Sequence, residues 1–212
     1  MNVLKKSAAL LAAVALLFAG CAAPASNASE KASSSAEGSS KPYGCPADES
    51  SCEAASESPR EEYQRLVESY TPISFDEAID LFETKDSALV YFGFPDCPWC
   101  DEVVPILSEL AKEQGVEVLY VRTRDDEKTR LYTDEQRDEI KPYLSDYIRN
   151  NLKGEPTLYV PLVISIRDGK VSQGHQGTVD EHDAKERVMI DEERQEVEDE
   201  LRKIVDDAAR KD

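Results

Sequence analysis

The sequence predicts an α/β fold in which helices flank a central mixed sheet, with extra helices ahead of the sheet and a long insertion before a proline-led strand. Three observations carry this. Ala88 to Phe94 is a near-continuous apolar run rich in β-formers, the pattern of a strand covered on both faces. After Cys97 the period changes, and Val103, Val104, Leu107, Leu110 and Ala111 recur on one helical face. Val116 to Arg122, with Val116, Val118, Leu119 and Val121, then reads as a second strand. Strand-helix-strand order implies a right-handed crossover between parallel strands.

The other elements can be taken in chain order. Pro59 to Tyr70 predicts a short amphipathic helix carrying Tyr63, Leu66, Val67 and Tyr70. The capping signature Ser74-x-x-Glu77 starts a second, with Ala78, Ile79 and Phe82 on its face. Residues 123–155 are charged, and Asp134 to Asn151 reads as a helix perturbed by Pro142, its face made of Ile140, Tyr143, Leu144, Tyr147 and Ile148. This connection either sets partner choice or is an inert surface insertion. Thr157 to Val171 predicts two strands joined by the Asp168-Gly169 turn. Asp191 is placed to cap a last helix to about Arg210, with Val197, Leu201, Ile204, Val205 and Ala208 inward.

Ahead of this domain, Met1 to Gly20 has the form of an export signal: Lys5 and Lys6, an apolar run from Ala8 to Ala19, then small residues. The run is too short for a bilayer, which needs about 20 residues. Leu17-Phe18-Ala19-Gly20-Cys21 resembles a bacterial lipobox, which implies cleavage before Cys21 and a lipid on its sulfur; ordinary secretion with a free Cys21 is the rival reading. Residues 22–58 hold 11 Ser and 9 Ala among 37, too little apolar surface to offset ordering entropy, and so predict a tether reaching roughly 35 Å as a coil. The expected organisation is 1–20 leader, 21–58 lipidated Ser/Ala-rich linker and 59–212 folded domain.

Five cysteines become two pairs once Cys21 serves as an anchor. Cys45 and Cys52, with six residues rich in turn formers between them, fit a local disulfide, and export would let one persist. Exchange with the other pair, or joint binding of a soft metal, are the alternatives. Cys97 and Cys100 lie in Phe94-Pro95-Asp96-Cys97-Pro98-Trp99-Cys100, at a strand-to-helix junction. Unpaired N–H groups and the positive end of the macrodipole favour an anion at a helix start, so a Cys there loses its proton more readily than a free thiol. Cys97 is the candidate nucleophile, and Cys100, one turn on, can resolve a mixed disulfide formed at Cys97. A C-x-x-C pair also fits a structural or metal-binding role.

The motif and the helix beyond it resemble the thioredoxin superfamily. Pro105, five residues after Cys100 and succeeded by Ile106-Leu107-Ser108-Glu109-Leu110-Ala111, repeats the family's mid-helix proline and its sequel. The resemblance covers Ala88 to Ala209 with one long insertion, and implies a thioredoxin-like fold with a cis-proline opposite the cysteines. Pro156-Thr157-Leu158 has the familiar local context, but Pro161 matches better by its distance to Gly169 and Gly177. A cis bond there would turn the Val160 backbone to the cleft, where an extended partner segment can pair with it; the alternative is a trans proline opening an edge strand. Two departures stand out. Tyr91 occupies the position of a buried aspartate found in many thioredoxins, and Asp96 precedes Cys97, where its carboxylate is expected to oppose thiolate formation. Pro98-Trp99 is closer to the Pro-aromatic pairs of glutaredoxins and Dsb-type proteins.

The formal net charge of −19, two lower without Lys5 and Lys6, repels nucleic acid and anionic membranes; any membrane attachment then rests on the lipid. His175 and His182, in a polar stretch, read as exposed side chains and not as metal ligands.

The resemblance thus implies an extracytoplasmic, lipid-anchored thiol-disulfide oxidoreductase. Cys97 and Cys100 would be catalytic, and Pro98, Trp99, Val160 and Pro161 would hold the partner, Trp99 as an exposed apolar contact. Partners would be thiols and disulfides of exported proteins and a separate electron partner. No cofactor is implied beyond the dithiol. The alternatives are a binding lipoprotein like the accessory proteins found with bacteriocin exporters, and a metal chaperone.

Overall fold

A computed structural model describes residues 57–210. The leader, Cys21, Cys45, Cys52 and nearly all of the expected linker lie outside the described residues.

Helix α1 (Pro59–Val67) starts with a reciprocal box in which Ser58 and Glu61 cap each other and Pro59 takes the first helical position, where a missing N–H costs nothing. It ends three residues earlier than expected; hydrogen-bonded turns carry the chain to a buried Tyr70. Strand β1 (Thr71–Ile73) comes next, and helix α2 (Phe75–Glu83) is capped by Ser74 and Glu77 as predicted. Strand β2 (Ala88–Gly93), helix α3 (Pro98–Gln114) and strand β3 (Val118–Arg122) form the expected crossover. Pro105 lies inside α3, which closes at Gly115 in the left-handed region (φ 65°), the conformation a glycine adopts without a Cβ penalty.

The insertion departs from the prediction. Helix α4 is only Asp134–Ile140, because Pro142 cannot continue it. Turns through Tyr143, Leu144 and Tyr147 lead instead to strand β4 (Ile148–Asn150), which pairs antiparallel with β5 (Pro156–Leu158) as a separate two-stranded ribbon. Residues 156–158 are therefore not the start of a sheet strand. Strands β6 (Leu162–Arg167) and β7 (Lys170–Gln176) form the predicted hairpin over Asp168-Gly169, both at positive φ (50° and 71°), as a two-residue turn requires. Helix α5 (Asp191–Ala209) has Ile190, not Asp191, at its N-cap. Isoleucine offers no acceptor, and the Glu193 carboxylate reaches back to the Ile190 N–H at 3.0 Å.

The sheet order is β1-β3-β2-β6-β7, with β1, β3 and β2 parallel and β6 and β7 antiparallel. Helices α1, α3 and α5 cover one face and α2 and the insertion cover the other, so two cores lie back to back across the sheet. This is a thioredoxin-like fold; of the two helices expected ahead of the sheet only α1 precedes it, because β1 is a strand of the sheet and α2 connects β1 to β2.

Candidate active site

Strand β2 is covered on both faces and stops at Gly93, and the chain must then turn sharply into α3. Asp96 makes the turn at φ 63°, a conformation that Asp tolerates better than most residues. Its carboxylate, expected from the sequence to oppose thiolate formation at Cys97, does not stand unpaired. Arg60 of α1 ion-pairs with it at 2.6 Å.

Cys97 is the N-cap of α3 and Cys100 its third residue. Both are free thiols; Cys97 keeps 3% of its surface and Cys100 none. The Cys97 carbonyl accepts the N–H groups of Cys100 (2.8 Å) and Asp101 (3.0 Å), which winds the first turn and places Cys100 behind Cys97. Burial, then the neighbouring Cys97 thiol, pushes the Cys100 thiol up, while the Tyr91 hydroxyl and the Phe94 backbone N–H act in the other direction.

The Val160–Pro161 peptide is cis. Leu162 pairs with Phe92 across β6 and β2, so Pro161 stands at the sheet end from which β2 runs into the cysteines. Val160 packs against both cores. Pro156 is in β5, paired with Asn150, away from this hairpin. Trp99 is more covered than expected: it packs against the α3-side core, and the Lys185 ammonium sits 5.4 Å from its ring centroid. Arg124 sits likewise over Phe94 at 5.6 Å.

Asp101 is half-buried beside the pair. Desolvation first, then Asp96 and Glu102, raise its pKa to about 6, with Arg60 opposing.

The histidines are not the exposed side chains expected. His182 is buried, with its Nε2 2.9 Å from Glu102 of α3 and its Nδ1 4.0 Å from Glu193 of α5. The same Glu102 accepts the Met189 N–H at 2.6 Å, so the segment between β7 and α5 is fastened over the start of α3. His175 is largely buried, and desolvation lowers its pKa. Among the described residues no group of three or more His, Cys, Asp and Glu is arranged to hold a metal.

Sequence reasoning did not find the polar cluster behind Cys100. Tyr91 Oη donates to Tyr63 Oη at 3.4 Å, and Tyr63 and Tyr120 share a hydrogen bond at 3.0 Å. Tyr91 stacks on Tyr120 with centroids 5.4 Å apart. Desolvation raises the pKa of all three. The legible signal was Gly93, two residues after Tyr91 and so on the same side of the strand; a Cβ there would run into the Tyr91 hydroxyl.

Topology, C-x-x-C placement and the proline at the head of β6 together define a thioredoxin-fold protein. Residues 55–143 match the family model described as "TraF: F plasmid transfer operon protein". No curated protein matches the chain. Among solved structures, mitochondrial thioredoxin 3 from Saccharomyces cerevisiae in its oxidised form is similar at 18% identity and a TM-score of 0.34, over 53% of this chain and 87% of that one. A suspected oxidoreductase with a thioredoxin fold is similar at 13% identity and a TM-score of 0.34, over 53% of this chain and 86% of the other. No helix among the described residues is long and apolar enough to cross a membrane.

Proposed function

We propose that the chain is a thiol-disulfide oxidoreductase acting outside the cytoplasm on exported proteins, tethered to a bacterial membrane by a lipid on Cys21. Cys97 exchanges with the partner's sulfur, Cys100 resolves the mixed disulfide, and Pro98, Trp99, Val160 and Pro161 hold the partner. The dithiol itself carries the two electrons, and the reduction potential of the Cys97–Cys100 couple sets the direction of flow. The observation that carries this reading is the placement of two unbridged thiols, one at the N-cap of α3 and one a turn inside it, at the open end of the sheet. The match to a plasmid-transfer family supports work at the cell envelope. Reduction of insulin disulfides and oxidation of a dithiol peptide test it: the wild-type chain turns over in one of the two, and Cys97→Ser abolishes that activity. Equal activity of wild type and Cys97→Ser overturns the reading.

A second reading has its own observation. Cys97 retains only 3% of its surface, which favours an accessory lipoprotein that holds a client without turnover. On that reading client binding and the cellular phenotype survive Cys97→Ser.

A further inference from the structure

We propose that the hydroxyls of Tyr91, Tyr63 and Tyr120 form a proton relay that receives the proton of Cys100 when it resolves the mixed disulfide. The inference rests on the oxidoreductase reading and supplies a step that reading leaves open. Only a thiolate attacks a disulfide, yet Cys100 is fully buried. Its proton needs an acceptor inside the protein.

Geometry supplies a path. Tyr91, with no exposed surface, lies over Gly93, shares the α3-side core with Cys100 and donates to Tyr63 at 3.4 Å. Tyr63, also without exposed surface, meets Tyr120 at 3.0 Å. Tyr120 keeps 8% of its surface, which makes it the outlet. Its neighbour Arg122 works against the burial that pushes its pKa up to about 12. Tyr70 packs edge-on against Tyr91, but its hydroxyl is committed to Ser108 at 2.6 Å and is no part of the path.

Each hydroxyl has one proton to give, so the chain points one way at a time. With Cys100 protonated, its S–H donates to Tyr91, Tyr91 to Tyr63, and Tyr63 to Tyr120. When every proton moves one place, Tyr120 releases one to solvent and the chain reverses. Cys100 is left as a thiolate that accepts from Tyr91, and no phenol ionises along the way. Its sulfur then attacks Cys97 Sγ. The Cys97–Cys100 bond forms, the bond from Cys97 to the partner breaks, and the partner's sulfur leaves with the electron pair and is protonated by solvent. The dithiol loses two electrons and the partner's disulfide gains them.

The test is stopped-flow reaction of the reduced full-length chain with 5,5′-dithiobis(2-nitrobenzoate), with Cys21→Ser, Cys45→Ser and Cys52→Ser leaving two reactive thiols. A first equivalent of thionitrobenzoate reports attack by Cys97 and depends on reagent concentration; a second reports closure by Cys100 and does not. Tyr91→Phe is expected to leave the first phase within about twofold and slow the second at least about tenfold at pH 7, with closure recovering as pH rises and hydroxide takes over. Tyr63→Phe and Tyr120→Phe, which keep the Tyr91 contact, are expected to slow closure in the same direction. Closure at the wild-type rate in Tyr91→Phe overturns the relay. So does slowing confined to Tyr91→Phe, because that is a local hydrogen bond to Cys100. A chain with all tyrosines intact that never releases the second equivalent removes the oxidoreductase reading itself, and the relay with it.

Discussion

On one side of β2, Leu89 and Tyr91 meet α1, α3 and α5; on the other, Val90 and Phe92 meet α2 and the insertion. The first side buries two thiols and the linked hydroxyls of Tyr63, Tyr91 and Tyr120, and it ties α5 to the sheet with a buried bond from Ser165 Oγ to Asp207 at 2.7 Å. The second is held by rings in contact: Phe75 on Tyr132 at 4.5 Å, Phe82 on Tyr143 at 4.7 Å, and Phe75 edge-on to Phe92 at 6.2 Å. Adjacent residues of one strand therefore serve different ends. The ring-packed face supplies burial energy, and the hydroxyl-lined face trades some of it for polar groups that must pair and can pass a proton.

Substitutions at neighbouring positions separate the two faces. Phe92→Ala, on the ring-packed side and fully buried, is expected to cost about 3–5 kcal/mol by urea denaturation while thiol kinetics of the folded fraction stay unchanged. Gly93→Ala pushes a methyl into the Tyr91 hydroxyl. It is expected to cost about 1–3 kcal/mol and, unlike Phe92→Ala, to slow closure by Cys100. If both substitutions alter kinetics alike, the division between faces fails.

Ser165→Ala leaves a buried carboxylate oxygen without its donor, at a cost of about 1–2 kcal/mol. Its readout is loosening of α5 by amide exchange, with α2 unaffected. The smallest effect belongs to the rim. Asp101 has a pKa near 6 in the folded chain against an ordinary 3.8, so the folded state binds the extra proton between those values. Stability falls as pH rises from about 4 to about 6, and the loss persists above that window. Discounted for partial exposure it is on the order of 1 kcal/mol. Asp101→Asn should flatten the slope in urea titrations across that window.

The parts of the fold legible in the sequence came from period and punctuation. The run Ala88 to Phe94, the helical spacing after Cys97, the Ser74/Glu77 cap and the Asp168-Gly169 turn each have a local cause, and each element formed where expected. The cis bond fell at Pro161 because distance to the turn glycine is a geometric constraint, whereas the Pro-Thr-Leu context of Pro156 is only composition.

The misses have physical reasons too. Strands β1, β4 and β5 are three residues each, too short for an alternation to register. The face running from Ile140 through Ile148 is buried in a stepped series of turns that shares helical spacing without being a helix. His182 sits in a polar stretch, yet Glu102 and Glu193, distant in sequence, enclose it. Tyr63 was visible as a face residue and Tyr91 as a departure from the family, but only the packing of α1 across β2 and β3 brings their hydroxyls together.

Cys97 as the attacking sulfur is the central claim, and one trapping experiment addresses it directly. Cys100→Ser removes the resolving thiol, so incubation with an oxidised substrate peptide should leave a stable mixed disulfide that mass spectrometry assigns to Cys97. Cys97→Ser under the same conditions should accumulate none. Adducts of equal yield in both variants, or in neither, contradict the assignment.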